Sequence, residues 1–146
     1  MAEFHMLCGI PGSGKSTLVN KLSGYLVSTD KIREFLWGNA SILDKDQLVF
    51  HIAKDVVQYM LARNEDVIFD ATNLTRRNRR PFLKIAKNHQ AKVTLHLVRT
   101  TLPTALQRNA QRQRKVPEAA IRSLHHSFQM PTLSEQIDRI VIYNEE

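Results

Sequence analysis

Short apolar runs of strand length alternate with amphipathic stretches along this chain. The run over residues 4–8 predicts a buried strand, and a helical pattern follows over 16–22. Gly24 reads as a helix stop, Tyr25–Ser28 as a second strand, and residues 30–37 as a helix ended by Gly38. Asp44 is placed to cap a long helix reaching about Arg63, with Leu48, Ile52, Val56 and Tyr59/Met60 as its apolar stripe. Val67–Asp70 is an apolar run ending in a carboxylate, a third strand. Thr75 is a candidate cap for the next helix, but Pro81 falls inside it, so the helix either starts nearer Arg80 or is kinked. Residues 92–99 read as a fourth strand. Pro103 sits in the first turn of a helix through about Gln111, Pro117 opens another to about Phe128, and residues 137–143 form a last strand.

Strands alternating with helices predict an α/β fold, a parallel sheet of about five strands covered on both faces. Ligands of such sheets bind beyond the carboxyl ends of the strands. That rule places residues 9–16, Ser28-Thr29-Asp30, Asp70 and the region after Arg99 on one rim.

The chain has 146 residues, enough for one domain with a core of its own. It has no internal repeat, no low-complexity tract, and no apolar run long enough to cross a bilayer. The first strand occupies the N-terminus, so a signal peptide is not expected there. The one cysteine, Cys8, excludes an internal disulfide and suits a reducing cytoplasm; its place in the first strand points to packing. The net charge of +7, from 21 Lys+Arg against 14 Asp+Glu, fits a polyanionic partner. It fits equally a small enzyme that grips phosphates.

The decisive string is Gly9-Ile10-Pro11-Gly12-Ser13-Gly14-Lys15-Ser16, which fits G-x-x-x-x-G-K-[ST] without a mismatch. It lies between a predicted strand and a predicted helix, where the physics requires it. The glycines let several backbone N–H groups converge on one anion, and the helix start favours negative charge. Lys15 adds a movable charge for β- and γ-phosphates, and the Ser16 hydroxyl is a ligand for Mg²⁺. The nucleotide-binding set is therefore Gly9, Pro11, Gly12, Ser13, Gly14, Lys15, Ser16 and Thr17, with ATP or another nucleoside triphosphate as donor.

Phosphoryl transfer also needs a positioned acceptor with a destination for its proton. Asp30, just after the second strand, can receive that proton or simply cap the following helix. Arg33 shares its helix face, either to bind a phosphate beside an acceptor hydroxyl or to form a weak intrahelical ion pair. Asp70 resembles the strand-ending carboxylate that holds a metal, directly or through water. The residue after it is Ala71, not the glutamate that activates water in motor-type ATPases, which argues for a non-water acceptor. No N-K-x-D base-reading motif of GTP switches is present. Arg108 and Arg112 stand one helical turn apart, as a lid over the triphosphate or as a solvated basic helix. Arg76, Arg77, Arg79 and Arg80 form a second cluster, for backbone phosphates or for solvent. His125-His126 are expected on a helix face, and Trp37 either in the core or stacked on a base.

These residues together resemble the 5′-hydroxyl polynucleotide kinases, the kinase domain of the phage end-healing enzyme among them. The resemblance spans nearly the whole chain: Gly9 to Thr17, Ser28-Thr29-Asp30-Lys31-Ile32-Arg33, Asp70-Ala71-Thr72-Asn73-Leu74, Arg108-Asn109 with Arg112, and Val116-Pro117. Zeta-toxin-type kinases share parts of the set. The resemblance implies a single P-loop, nucleoside-monophosphate-kinase-like domain over residues 1–146, with a helical lid at about 108–117. It implies Asp30 as general base, Arg33 as the grip on the acceptor's phosphate, and Arg112 as the lid contact to the donor. Asp70 would order the lid arginine or the metal shell. Two departures stand out. The phage enzyme's phosphatase domain has no room within 146 residues, and the stretch between Arg112 and Pro117 is shorter, leaving Arg114 to share or replace part of the lid function.

The expectation is an ATP- and Mg²⁺-dependent kinase of 5′-hydroxyl DNA or RNA ends, cytoplasmic and without a membrane. A small-metabolite kinase and a non-catalytic nucleotide-gated module are the rivals.

Overall fold

A computed structural model describes residues 1–38, 46–113 and 115–145. Five strands, β1 (Glu3–Cys8), β2 (Tyr25–Ser28), β3 (Val67–Asp70), β4 (Lys92–Thr100) and β5 (Arg139–Glu145), form one sheet. Their order is β2-β3-β1-β4-β5, and every pairing is parallel. The helices are α1 (Lys15–Val19), α2 (Thr29–Trp37), α3 (Asp46–Ala62), α4 (Arg76–Asn88), α5 (Leu102–Ala110) and α6 (Glu118–Ser127), with a 3₁₀ turn at Leu133–Glu135. Asp44 and Arg114, expected in capping and lid roles, lie outside the described residues.

The two sheet faces are covered very unequally. On one, Phe4, Met6 and Cys8 pack with Val67, Phe69 and Leu95 beneath helices α3 to α6. The Phe69 and Phe82 rings stack with centroids 4.0 Å apart, and Phe50 meets Phe82 edge-on at 6.4 Å. The Phe69 and Phe82 rings, both removed from water, each contribute about 1.5–3 kcal/mol. The other face has a smaller cluster, Leu7, Ile68 and Val98 against Leu18, Val19 and Leu22. Along its lower part runs a polar chain. His5 Nδ1 lies 2.9 Å from His96 Nε2, and His96 Nδ1 lies 2.9 Å from the Tyr143 hydroxyl. Burial, with the His5 and Arg139 charges, pulls the His96 pKa down to about 4.

Several boundaries differ from expectation for identifiable reasons. Helix α1 ends at Val19, not Leu22, because Lys21 and Leu22 donate three residues back, to Leu18 and Val19. In α3 the buried residues are Val49, Ala53, Val57 and Leu61, one position beyond the expected stripe. Leu48 and Tyr59 are exposed, while Val56 and Met60 pack at the core's margin. Helix α4 starts at Arg76 with Thr75 as cap, accepting from Asn78 N, and runs through Pro81. The start near Arg80 is therefore excluded. Proline removes the N–H that would reach Arg77 C=O, and Arg77 is exposed, so water can satisfy that carbonyl. Pro117 is the cap of α6, and β5 begins at Arg139, two residues later than read.

Candidate active site

The link from β1 to α1 turns back on itself through two glycines with positive φ, Gly12 at 85° and Gly14 at 103°. A Cβ on Gly12 would also lie 2.8 Å from Ala105 O, so α5 packs directly on the loop. Gly9 N donates to Thr72 O at 3.0 Å, tying the loop's start to the segment after β3. Lys15 Nζ donates to Gly9 O at 2.6 Å and Ile10 O at 3.4 Å. Burial pulls the Lys15 ammonium below its ordinary pKa, against the opposing charge of Asp70. Burial in turn raises the Asp70 carboxyl, and Lys15 opposes that shift. Each group is thus the other's principal countercharge in a poorly solvated place.

A cleft of about 660 Å³ opens over this loop. Pro11 to Thr17 form its floor, and Thr29, Asp30, Arg33, Asp46, Phe50, Asp70, Thr72 and Asn78 one side. Arg108, Arg112, Val116, Pro117, Ala120 and Leu124 form the other. The expected nucleotide-loop residues together with Asp30, Arg33, Asp70, Arg108 and Arg112 all line this one space except Gly9, which lies beneath it, holding Lys15. The β2–β3 register, Ser28 opposite Asp70, brings Asp70 beside the start of α2.

The cap of α2 is Ser28, whose Oγ accepts from Lys31 N at 3.2 Å. Asp30 therefore does not serve as the cap, which was one of its two readings. Its Oδ1 accepts from Arg33 Nη1 at 2.8 Å. Arg33 is buried, at 7% exposure, and its Nε and Nη2 donate to Asp46 Oδ1 and Oδ2, both at 2.9 Å. This is the fork geometry that fixes a guanidinium in direction as well as place. The intrahelical pair exists, but within a three-residue bridge that sets where the Asp30 carboxylate stands. Arg33 is correspondingly engaged on both sides, so its geometry here is that of a residue holding Asp30.

On the opposite wall Arg108 Nη1 donates to Gly12 O at 3.2 Å. Asn109 is buried and closes the loop that follows it. Its Nδ2 donates to Val116 O at 2.7 Å, and its Oδ1 accepts from Val116 N at 2.9 Å. One side chain thereby mimics a strand pairing and holds the ends of the Arg112 loop together. The Arg112 charge is close enough to lower the Lys15 pKa further.

One member of the second arginine cluster is misplaced by the sequence reading. Arg79 is 0% exposed. Its Nε and Nη2 donate to Glu135 at 2.9 and 3.2 Å, and its Nη1 to Asn73 O at 2.9 Å. It reaches neither solvent nor the cleft, because position 79 falls on the core face of α4 with Phe82, Leu83 and Ala86. Asn73, at φ 50°, donates from Nδ2 to Leu7 O at 2.7 Å, so the segment after Asp70 is pinned to β1. Cys8 is buried as expected, its thiol pushed up to about 11 by burial. His125 and His126 are exposed, and Trp37 is half-buried without lining the cleft. Asp46, Asn78 and the Asn109 clamp were not expected from sequence. Only the carboxylate at the start of a helix hinted at Asp46, and nothing in the spacing links it to Arg33.

Fold and cleft together define a nucleotide-binding domain of the P-loop kinase type. The chain belongs to the AAA domain family (AAA_33), whose sequence profile matches residues 4–131. A curated relative, the L-seryl-tRNA(Sec) kinase of Methanococcus maripaludis, is 26% identical over 137 residues, covering 86% of this chain and 52% of its own. A chain of the Pnkp1/Rnl/Hen1 RNA repair complex superposes with TM-score 0.75 at 20% identity, covering 86% of this chain and 43% of its own. A gluconokinase from Sinorhizobium meliloti 1021 superposes with TM-score 0.65 at 16% identity, covering 97% and 82%. The chain thus spans about half of the curated relative and less than half of the RNA repair chain. No helix among the described residues is long and apolar enough to cross a membrane.

Proposed function

We propose that this chain is an ATP-dependent kinase domain, residues 1–146 with a lid at about 108–117, that phosphorylates 5′-hydroxyl ends of DNA or RNA. The observation that carries this is the Asp30–Arg33–Asp46 bridge, which fixes a carboxylate across one cleft from the phosphate loop. A mere nucleotide-binding module has no use for it. The hydroxyl oxygen of the acceptor attacks the γ-phosphorus, its proton passes to Asp30, and the bond to the β–γ bridging oxygen breaks. Lys15 follows the charge that develops on the leaving phosphate, and Arg112 stabilises the transferring group from the lid side. Arg108 joins the donor-binding set from the lid. Ala71, buried beside Asp70, leaves no carboxylate there to activate water.

The donor set for a metal is all oxygen, the Ser16 hydroxyl and the Asp70 carboxylate on one cleft, which suits Mg²⁺ completed by phosphates and water. When bound, that ion neutralises phosphate charge. The buried thiol of Cys8 is consistent with a cytoplasmic protein.

Two of the similar proteins are named for RNA, which supports a polynucleotide acceptor. The second reading, a small-metabolite kinase, is supported by the likeness to a gluconokinase and by a cleft within the size range of small-ligand sites. Labelled ATP with Mg²⁺, offered to a 5′-hydroxyl oligonucleotide beside a panel of sugars and small alcohols, separates them. Label on the oligonucleotide, abolished by Asp30→Ala with ATP binding intact, is the expected result. Label only on a metabolite overturns the first reading, and full transfer by Asp30→Ala overturns the mechanism.

A further inference from the structure

Helix α4 contains no acidic residue. Five of its six cations, Arg76, Arg77, Arg80, Lys84 and Lys87, are exposed, and none is ion-paired among the described residues. With six cations and no acid, this one helix carries a formal charge of +6 in a chain whose net charge is +7. At about 100° per residue, positions 77, 80, 84 and 87 fall within an arc of about 80° and run about 15 Å along the axis. They form a single stripe on the flank away from the core residues Phe82, Leu83 and Ala86.

This arrangement works against the helix that carries it. Like charges three and four residues apart repel, and Arg76 and Arg77 stand at the helix end where the macrodipole is already positive. A polyanion laid along the stripe would relieve both. The stripe also starts at the functional rim, since Asn78 in the same first turn lines the cleft.

We propose that the exposed flank of α4, Arg77, Arg80, Lys84 and Lys87, binds the phosphate backbone of a nucleic-acid acceptor beyond the nucleotide held in the cleft. The identity of this occupant rests on the reading of the cleft given above. The stripe reads backbone and not bases, so it gives affinity without sequence preference. It also makes a long strand a better acceptor than a mononucleotide with the same reacting end.

The test compares wild type with the triple variant R77A/R80A/K84A. Binding of a labelled 5′-hydroxyl strand of about 20 nucleotides, DNA and RNA in separate arms, is measured by anisotropy across a KCl series. Transfer to that strand and to a nucleoside 3′-phosphate is measured in parallel. Removing three phosphate contacts should flatten the log Kd against log salt slope by about 2, and weaken binding at low salt by tenfold or more. Transfer to the nucleoside 3′-phosphate should stay within about twofold, because the lost contacts serve only the strand. Unchanged strand binding and slope in the triple variant overturns the stripe, as does equal loss on both acceptors. So does a wild type that holds phosphatidylserine vesicles or polyglutamate but not the strand. Strand transfer with an indifferent triple variant defeats the stripe and leaves the kinase reading intact. Stripe-dependent strand binding with transfer to no nucleic acid supports a backbone-binding stripe and defeats the 5′-kinase reading.

Discussion

Arg79→Met tests how the rim is held. The substitution removes a fully buried guanidinium with three hydrogen bonds, two to Glu135 and one to Asn73 O. Methionine fills most of the vacated aliphatic space, so the main cost is an orphaned partner. Removing one end of a buried pair typically costs about 3–5 kcal/mol. Glu135 keeps the Thr132 N–H at 2.9 Å, and its side chain is 11% exposed. Some solvation is therefore available, and the low end, about 3 kcal/mol, applies. For a domain of this size that lowers Tm by roughly 6–12 °C. Replacing both ends, R79M/E135L, removes the stranded carboxylate and should recover about 1–2 kcal/mol. Urea unfolding of the two single variants and the double variant measures all three. A loss under about 1 kcal/mol for Arg79→Met, or strict additivity in the cycle, refutes the coupling. Burial would raise the Glu135 carboxyl, but Arg79 and the Thr132 N–H hold it below the ordinary value. Its stabilising contribution is thus complete above its unfolded pKa and is lost as pH falls through the lower, folded one.

Three other outcomes follow from the geometry. Asp46→Asn breaks the fork on Arg33 and should lower kcat by about tenfold or more through a misplaced Asp30, with ATP affinity unchanged; Asp46→Glu should restore part of it, and an equal loss of ATP binding would contradict the assignment. Asn109→Leu strands Val116 N–H and C=O and frees the Arg112 loop, so ATP binding by calorimetry should weaken about tenfold; unchanged affinity would show that the clamp does not serve the lid. His96, depressed to about 4 by burial and the His5 and Arg139 charges, favours the fold fully above about pH 6.5, and that contribution is lost as pH falls toward 4. Allowing for solvent screening, the wild type should lose about 1–2 kcal/mol more than His96→Asn between pH 7 and 4.5, and parallel pH profiles of urea unfolding would disprove it.

Strands β2 and β3 were legible to the residue, because each is a short apolar run with a sharp boundary, Gly24 before one and Asp70 ending the other. The stripe of α3 was not. Apolar residues fill two adjacent helical series, with Leu48, Ile52, Val56 and Met60 beside Val49, Ala53, Val57 and Leu61. Periodicity cannot choose between them; the positions of α2 and α4 do. The loop, Asp30, Asp70 and the region of Arg108 and Arg112 could be placed on one rim because sheet topology alone converges them. Arg79 could not be told from its exposed neighbours, since its partner Glu135 lies 56 residues away. Asp46 was hidden for the same reason, 13 residues beyond Arg33 and on a different helix.

The hydrogen bonds from Lys15 to Gly9 O and Ile10 O turn ligand capture into an exchange. An arriving phosphate meets an ammonium that already donates to two backbone carbonyls, and the anion must outcompete them. The tail of a polyphosphate, which concentrates more negative charge and can reach Lys15 beyond the first phosphate, competes with those carbonyls better than a single phosphate does. If the loop binds a nucleotide as proposed, it should grade ligands by the charge at the end of the phosphate chain more than by the base at its start. ATP should be ranked over AMP far more steeply than ATP over GTP.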